Sequence, residues 1–385
     1  MFKFRIENFL YTPILLILMI CSFSNLSAFS REMYSLKSDI KQAEEIIPQI
    51  EIHMKENFKN RDTFIELYGA FLNMVHLNIV GNFEYIKDDA GIMQRIEPLY
   101  NSEGFLVSMD ELSSRLNSEE IPLLYIQLPI RGTYFQPADS LAYYGKENLK
   151  DDLKQLGIDV RDIPSQITVD SASPTIDEFF FHTDVHLPTR TELWISKQIS
   201  EYFKTQYNLN FTNPDEIFSE DSYQWERYDF WGNLGRTAGR TFSGIDQFES
   251  FVPQFEVNMR LTIPEQNIVL EGDFFTVMTN HYSDPDNNRN LYWVTNYGHY
   301  PISHYYYDNL NNSEGMNLLV ISDSMMMRAN TFLALAVSHI TILDPRTFDG
   351  TDYLVQCLDS QRYDAVIVCG SSSLYQSAFN SFSKQ

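Results

Sequence analysis

The sequence predicts an α/β fold of three layers, in which helices cover both faces of a mostly parallel sheet. Short apolar runs typical of buried strands alternate with helical patterns near the middle of the chain and again at its C-terminal end. Between them, residues 211–307 alternate polar and apolar side chains, which predicts a β-rich antiparallel insertion. The clearest strand patterns within it are residues 255–262, 274–278 and 291–294.

Composition bounds the class of protein. The chain has 385 residues, of which 44% are hydrophobic and 21% charged, so it can bury a sizeable core and is not disordered. Its net charge of -24 repels phosphate backbones, so we expect no nucleic-acid partner. Cys357 and Cys369 lack the spacing of a zinc site, and we expect Cys369, at the end of an apolar run, to be a buried thiol.

The N-terminal 30 residues resemble an export signal. Lys3 and Arg5 precede a segment without charge that extends from Asn8 to Ser30. This segment is either cleaved or, since it is just long enough to cross a bilayer, stays as a membrane anchor. Both cases predict an extracytoplasmic protein. A helical segment at 31–80 and an α/β domain at 81–385 are expected to follow.

The first strong strand pattern of the α/β domain covers residues 121–129, and a helical pattern follows at 141–156. A second helix is expected to end near Tyr207. Thr189 and Glu192 have the spacing of a capping box, which predicts that this helix begins beside Thr189.

The C-terminal part alternates regularly between strands and helices. Residues 317–321, 339–343 and 363–369 are predicted strands, and residues 325–337 and 351–358 are predicted helices. In parallel sheets of this kind, working groups gather at the carboxyl ends of the strands.

Ser324 follows the first of those strand ends and opens the next helix. A serine at such a hinge exposes its hydroxyl, and the helix N-terminus offers backbone N–H groups to an anion. This is the geometry of a nucleophile. Serine and aspartate also cap helices, so a capping role for Ser322-Asp323-Ser324 is the alternative.

The segment His182-Thr-Asp-Val-His186 concentrates residue types that catalysis uses. Asp184 can orient the imidazole of His186, which then serves as general base toward Ser324 and completes an acyl-transfer triad. Two alternatives stay open on spacing. His182, Asp184 and His186 would share one face of a strand as a metal site, or the segment is a polar loop before a helix.

Several motifs in order resemble one family. Thr183-Asp-Val-His186 followed by Ile321-Ser-Asp-Ser324 is similar to the Asp-His-His-Trp and Gly-Asp-Ser motifs of the DHHW family. These are the alginate O-acetyltransferase-related proteins of the SGNH hydrolase superfamily, whose motif order is circularly permuted. Further matching stretches are Asn57-Phe-Lys-Asn-Arg-Asp62, Gly232-Asn-Leu-Gly-Arg236, Leu343-Asp-Pro-Arg346 and Arg362-Tyr-Asp-Ala-Val-Ile367.

The resemblance implies a flavodoxin-like SGNH-hydrolase fold with Ser324 as nucleophile, His186 as base and Asp184 as its orienting carboxylate. Three positions depart from the family pattern, and they leave rate and substrate open: Val185, Leu187 and Ser322. A catalytically silent scaffold or glycan-binding member is therefore an alternative.

Other site residues follow from the same resemblance. Asn233 and Arg236, in a glycine-punctuated loop, are candidate oxyanion or substrate contacts beside the backbone N–H of the nucleophile. For Arg236 a surface ion pair is the alternative. Trp225, Tyr228 and Trp231 are candidates for stacking on sugar rings, or else they belong to the core.

The resemblance implies an exported O-acetyltransferase that modifies a cell-surface or secreted polysaccharide. It also implies a membrane-bound O-acyltransferase partner that supplies the acetyl group, since the sequence has no recognisable coenzyme A site. We expect no cofactor and no metal. An acetylesterase with the same triad is the second hypothesis.

Overall fold

The computed structural model describes residues 61–81, 84–89, 91–95, 102–128, 149–167, 173–278, 304–346 and 352–370. The expected export segment 1–30 and the expected strand 291–294 lie outside these ranges. The chain divides into two units, residues 1–76 and 77–385. The described part of the first unit consists mainly of helix α1, Arg61–Met74.

The described residues of the second unit form three sheets. Its strands are β1 Ile79–Val80, β2 Tyr85–Lys87, β3 Met93–Arg95, β4 Leu123–Gln127, β5 Asp159–Asp162, β6 Tyr223–Phe230, β7 Asp246–Pro253, β8 Met259–Ile263, β9 Ile268–Gly272, β10 His304–Asn309, β11 Asn317–Ser322, β12 His339–Leu343 and β13 Ala365–Cys369.

Helices connect most of these strands. The α-helices are α2 Glu103–Ser118, α3 Leu149–Gln155, α4 Ile163–Ile167, α5 Ile176–Phe179, α6 Thr189–Tyr207, α7 Pro214–Ile217, α8 Gly235–Ala238, α9 Arg240–Ser243, α10 Phe274–Met278, α11 Met327–Ala336 and α12 Asp352–Ser360. Short 3-10 helices cover Glu220–Ser222, Pro264–Gln266 and Ser324–Met326.

Within the described ranges, the main sheet has eight strands in the order β5-β4-β13-β11-β12-β10-β8-β9. The first five are parallel to one another, and β10, β8 and β9 extend the sheet with antiparallel pairing. The predicted insertion therefore contributes strands to the main sheet itself. It also forms a separate antiparallel pair, β6 with β7.

Two apolar cores cover the two faces of this sheet. One core joins the sheet to α6 and α11, and the other joins it to α2, α3 and α12. Alternate residues of a buried strand point to opposite faces, so β11 gives Leu318 and Val320 to the first core and Leu319 and Ile321 to the second. The predicted three-layer α/β/α fold is confirmed.

The C-terminal elements agree closely with their predictions. Strand β12 has the predicted bounds, and β11 extends one residue further, to Ser322. The helix expected at 325–337 is divided between the 3-10 turn Ser324–Met326 and α11. The side chains of Cys357 and Cys369 are both buried, as expected for Cys369.

The strand expected at 274–278 is wrong, because these residues form helix α10. Phe274, Val277 and Met278 are buried together, and their spacing of three and four places them on one helical face against the core. Asp273 supports the helix start by accepting a hydrogen bond from the Thr276 N–H at 2.8 Å. A short apolar run does not distinguish the two structures.

The capping box predicted for Thr189 and Glu192 is also wrong. Pro188 occupies the N-cap position of α6 and makes no side-chain capping bond. The Thr189 hydroxyl donates instead to the Glu249 carbonyl at 2.6 Å. Glu192 is fully buried and its carboxylate contacts α11.

Candidate active site

Ser324 lies just beyond the carboxyl end of β11, which pairs with β12 on one side and β13 on the other. Asp323 caps the turn that follows, because its Oδ1 accepts a hydrogen bond from the Met325 N–H at 2.9 Å. Ser324 is the first residue of the 3-10 helix, where a backbone N–H has no acceptor within the helix. The strand and the turn thus present both the hydroxyl and the N–H of Ser324.

Three of the predicted residues form one chain of hydrogen bonds. Ser324 Oγ lies 3.0 Å from His186 Nε2, and His186 Nδ1 lies 2.6 Å from Asp184 Oδ1. With the proton on Nδ1, the imidazole donates to Asp184 and accepts the serine hydroxyl proton through Nε2. Asp184 and His186 are buried, whereas Ser324 is partly exposed.

Further groups donate hydrogen bonds to the Asp184 carboxylate. Its Oδ1 also accepts from the His186 backbone N–H at 3.0 Å, and its Oδ2 accepts from the Asn233 backbone N–H at 2.7 Å. Burial raises the pKa of this carboxyl, but the electrostatic interaction with the His186 imidazole and these hydrogen bonds outweigh it and hold the pKa below its ordinary value of 3.8. Asp184 therefore stays ionised beside the imidazole.

A second network holds the backbone before Asp184. Asp246, at the start of β7, accepts from the backbone N–H groups of His182 and Thr183 at 2.8 and 2.7 Å. It also accepts from the Thr183 hydroxyl at 2.6 Å, and that hydroxyl accepts from the Gly232 N–H at 2.8 Å. The β6–β7 pair thus fixes the loop that carries Asp184 and His186.

Gly232 allows two backbones to approach closely. A Cβ at this position would lie 2.5 Å from the Cβ of Asp184 and would also meet the Thr183 carbonyl oxygen. Only a residue without a side chain fits there.

Asn233 and Arg236 both lie close to Gly232 in the sequence, but they make different contacts. The backbone of Asn233 contacts Asp184, while its side chain is exposed. Arg236 Nε donates to the Trp231 carbonyl at 2.9 Å. An oxyanion role for either side chain stays a prediction.

The three aromatic candidates differ in exposure. Trp225 is partly buried, packs on the first core, and has the Arg190 guanidinium 4.3 Å from its ring centroid. Tyr228 is partly exposed and donates to Glu226. Trp231 is only 6% exposed, which leaves little ring surface for a sugar. Stacking stays a prediction for Trp225 and Tyr228.

The metal-site alternative required His182, Asp184 and His186 to share one face of a strand. The structure has a loop there instead. Among the described residues, no group of three or more His, Cys, Asp or Glu side chains is arranged to hold a metal ion.

The departures from the family motifs have local structural roles. Leu187 is fully buried in the first core, and Val185 is partly exposed. The Ser322 hydroxyl is buried and accepts from the Asn330 side-chain amide at 3.0 Å. Ser322 therefore bonds to α11, and it is Ser324 that meets the imidazole.

Two parts of the site were missed by sequence reasoning. Asp246 lies more than sixty residues from the loop that it fixes, and no local pattern distinguishes it. Glu192 forms a fully buried ion pair with Arg328, at 2.6 Å. An arginine and a glutamate inside otherwise buried helical patterns were the available signal for this pair.

Arg346 approaches the same turn from the end of β12. Its guanidinium binds Asp344 with distances of 2.9 and 2.6 Å, and one nitrogen lies 3.8 Å from Asp323. Asp344 and Arg346 thus bond to each other in the turn that follows β12.

No protein-family model and no curated protein matches the sequence. Solved structures do match the fold. Bacillus cereus PatB1 aligns with a TM-score of 0.58 at 15% identity, over 77% of this chain and 99% of that one. The same protein with a sulfonyl adduct gives 0.58 at 14%, over 78% and 100%.

A DHHW family protein from Eubacterium siraeum aligns with a TM-score of 0.57 at 13% identity, over 77% of this chain and 93% of that one. At such identities the likeness establishes the fold. The resemblance that the motifs suggested is thereby confirmed at the level of the fold, and the chain has the three-layer α/β fold of this DHHW family structure.

Proposed function

We propose that this protein is an exported, serine-dependent O-acetyltransferase that modifies hydroxyl groups of a polysaccharide. The observation that carries the proposal is the continuous chain of hydrogen bonds from Ser324 through His186 to Asp184, at the carboxyl edge of the sheet. A nucleophile, a base and an orienting carboxylate in that order can perform acyl transfer.

In the first step, Ser324 Oγ attacks the carbonyl carbon of an acetyl donor while His186 Nε2 accepts the hydroxyl proton. Asp184 holds the imidazole in the required tautomer and stabilises the imidazolium. The Ser324 backbone N–H, at the start of the turn, supplies one donor to the oxyanion. Collapse of the intermediate expels the leaving group, which takes the proton from His186.

In the second step, a sugar hydroxyl attacks the acetyl-serine. His186 removes the proton from that hydroxyl and returns it to Ser324 Oγ as the ester transfers. Water can attack the same ester, and the enzyme then acts as an acetylesterase.

The acceptor follows from charge and from the family resemblance. A net charge of -24 repels polyanions, so a neutral or cationic polysaccharide fits the surface best. Three further parts of the proposal rest on the DHHW resemblance. They are the identity of the acyl group as acetyl, the membrane-bound O-acyltransferase partner and the extracytoplasmic location. In the described part of the chain, no helix is long and apolar enough to span a bilayer.

A single assay separates transfer from hydrolysis. The purified protein would be incubated with a chromogenic acetyl ester, with and without neutral or cationic oligosaccharides, and both free acetate and acetylated sugar measured. The proposal predicts acetylated sugar that depends on Ser324. Free acetate without acetylated sugar would identify an esterase, and turnover that survives Ser324→Ala would refute the serine mechanism.

A further inference from the structure

A fully buried ion pair lies between the two halves of the proposed site. Glu192 belongs to the first turn of α6, six residues after His186, and Arg328 belongs to the first turn of α11, four residues after Ser324. Both side chains have no exposed surface, and Arg328 Nη2 lies 2.6 Å from Glu192 Oε1.

Glu192 also serves as the cap of α11. Met326, at the N-cap position of that helix, makes no side-chain capping bond. Glu192 Oε2 instead accepts from the backbone N–H groups of Arg328 and Ala329 at 2.8 and 2.9 Å. These N–H groups have no acceptor within the helix, so a side chain from a distant helix fixes the start of α11.

Arg328 completes the connection to the general base. The same guanidinium nitrogen that meets Glu192 also donates to the carbonyl of Leu187, the residue directly after His186. The guanidinium carbon lies 5.4 Å from the ring centroid of Phe248, on β7. One side chain therefore contacts the loop of the base, the helix that follows it and the β6–β7 pair.

Stability alone is a weak reason for such a pair. Removing two charges from water costs several kcal/mol per ion, and replacing a buried ion pair by apolar residues is often neutral or stabilising. Burial raises the pKa of the Glu192 carboxyl, and Arg328 together with the backbone N–H groups acts against that shift. What the pair provides, and apolar residues would not, is a set of directional bonds to both sides of the site.

We propose that Glu192 and Arg328 are positioning residues that hold His186 Nε2 within hydrogen-bonding distance of Ser324 Oγ. The inference rests on the proposed function, because it concerns the geometry of that same triad. Neither residue touches the reacting atoms. Both act through the backbone on either side of them.

The test replaces Arg328 by lysine, which keeps the charge but not the planar fork. A lysine can reach Glu192 or the Leu187 carbonyl but does not bridge them in the same way. We expect kcat to fall by about 10- to 100-fold with little change in KM, since misplacement of about 1 Å is enough for such a loss. The rate at which a sulfonyl fluoride modifies Ser324 should fall in parallel.

Ser196→Ala is the matched control. The Ser196 hydroxyl is also fully buried and lies between the same two helices, 2.8 Å from the Glu192 carbonyl and 3.3 Å from the Ala329 carbonyl, and among the described residues it has no hydrogen bond to the His186 loop. We expect Ser196→Ala to lower the melting temperature while kcat and the sulfonylation rate stay unchanged. If the ion pair had only a structural role, Arg328→Lys would behave like Ser196→Ala, with a lower melting temperature and an unchanged kcat and sulfonylation rate.

A second variant covers the case in which Arg328→Lys does not fold. The double variant Glu192→Gln/Arg328→Met leaves no uncompensated buried charge, and we expect it to fold with the same loss of kcat. Unchanged kcat and unchanged sulfonylation in whichever variant folds would overturn the proposal.

The proton NMR signal of the His186 Nδ1–H separates this inference from the proposed function. We expect the wild-type signal to be lost or shifted in the variants, whether or not the protein transfers acetyl groups. If the signal changes in the variants but the wild-type protein turns over no acetyl ester, the proposed function alone is refuted. An unchanged signal would refute the positioning role alone.

Discussion

The two halves of the proposed site are built in different ways. Ser324 is positioned by regular structure, since it follows a central parallel strand and opens a helical turn. His186 and Asp184 lie on a loop without regular structure, and side-chain hydrogen bonds to the β6–β7 region hold that loop in place. The proposed nucleophile is thus positioned by the sheet, whereas the proposed base is positioned by a network of polar side chains.

This difference predicts where the site is fragile. A change at Ser324 removes chemistry and leaves the fold intact, because its side chain bonds only to the imidazole among its described contacts. A change around the base disturbs geometry and stability together, because the same groups serve both. Substitution of Ser324 should therefore lower activity alone, whereas substitutions around His186 and Asp184 should lower activity and stability together.

The largest effect is expected for Ser324→Ala. Loss of the nucleophile should lower kcat by about 10⁶-fold, as for other serine triads, while the melting temperature stays near that of the wild type. Ser322→Ala is the matched control, because Ser322 bonds to Asn330 and not to the imidazole. Equal losses in both variants, measured by ester turnover, would contradict the assignment of Ser324.

Asp184→Asn should come next, with kcat lower by about 10⁴-fold because the amide favours the wrong imidazole tautomer. The control is Asp308→Asn. Asp308 Oδ1 lies 2.7 Å from His339 Nδ1 at the opposite end of β12, so it forms a similar carboxylate–imidazole pair away from the site. Comparable losses of ester turnover in the two variants would argue against a special role for Asp184.

Gly232→Ala tests, by an added methyl group, how closely the loop that carries Asp184 and His186 must pack against Gly232. The added Cβ meets the backbone of Thr183 and the side chain of Asp184, so we expect a free energy of unfolding lower by about 1–3 kcal/mol or more, with a loss of activity. Gly157→Ala is the control. Nothing lies within 4 Å of its added Cβ, and its φ of +75° alone should cost about 1–2 kcal/mol without affecting turnover.

The smallest effect concerns acid stability. The pKa of Asp184 is lowered in the folded protein, so its carboxylate contributes stability above its ordinary pKa of 3.8 and loses it as the pH falls through the folded value. Urea unfolding below about pH 4 should therefore show a weaker pH dependence in Asp184→Asn than in the wild type. Identical slopes would indicate that the carboxylate is not preferentially ionised in the folded state.

The regular half of the site was also the half that the sequence could predict. Continuous apolar runs at β11, β12 and β13 located these strands to within one or two residues, because strands buried on both faces need no polar alternation. The choice between Ser322 and Ser324 was different. It depended on the resemblance, and the geometry now places Ser324 against the imidazole and Ser322 against Asn330.

The polar half was largely beyond local patterns. Thr189 and Glu192 matched a capping box by spacing, but Glu192 meets a guanidinium 136 residues further along the chain. Asp246 fixes Thr183 from 63 residues away. Such long-range partners override local preferences and leave no periodic signal in the sequence.

Acylation of Ser324 can be measured by mass spectrometry of the protein after brief exposure to an acetyl ester. We expect one acetyl group on the peptide that contains Ser324, with more of it in the absence of a sugar acceptor and none in Ser324→Ala. A sulfonyl fluoride should label the same residue and compete with acetylation. Turnover of the ester without any acyl group on Ser324, or with an acyl group on another residue, would show that Ser324 is not the nucleophile.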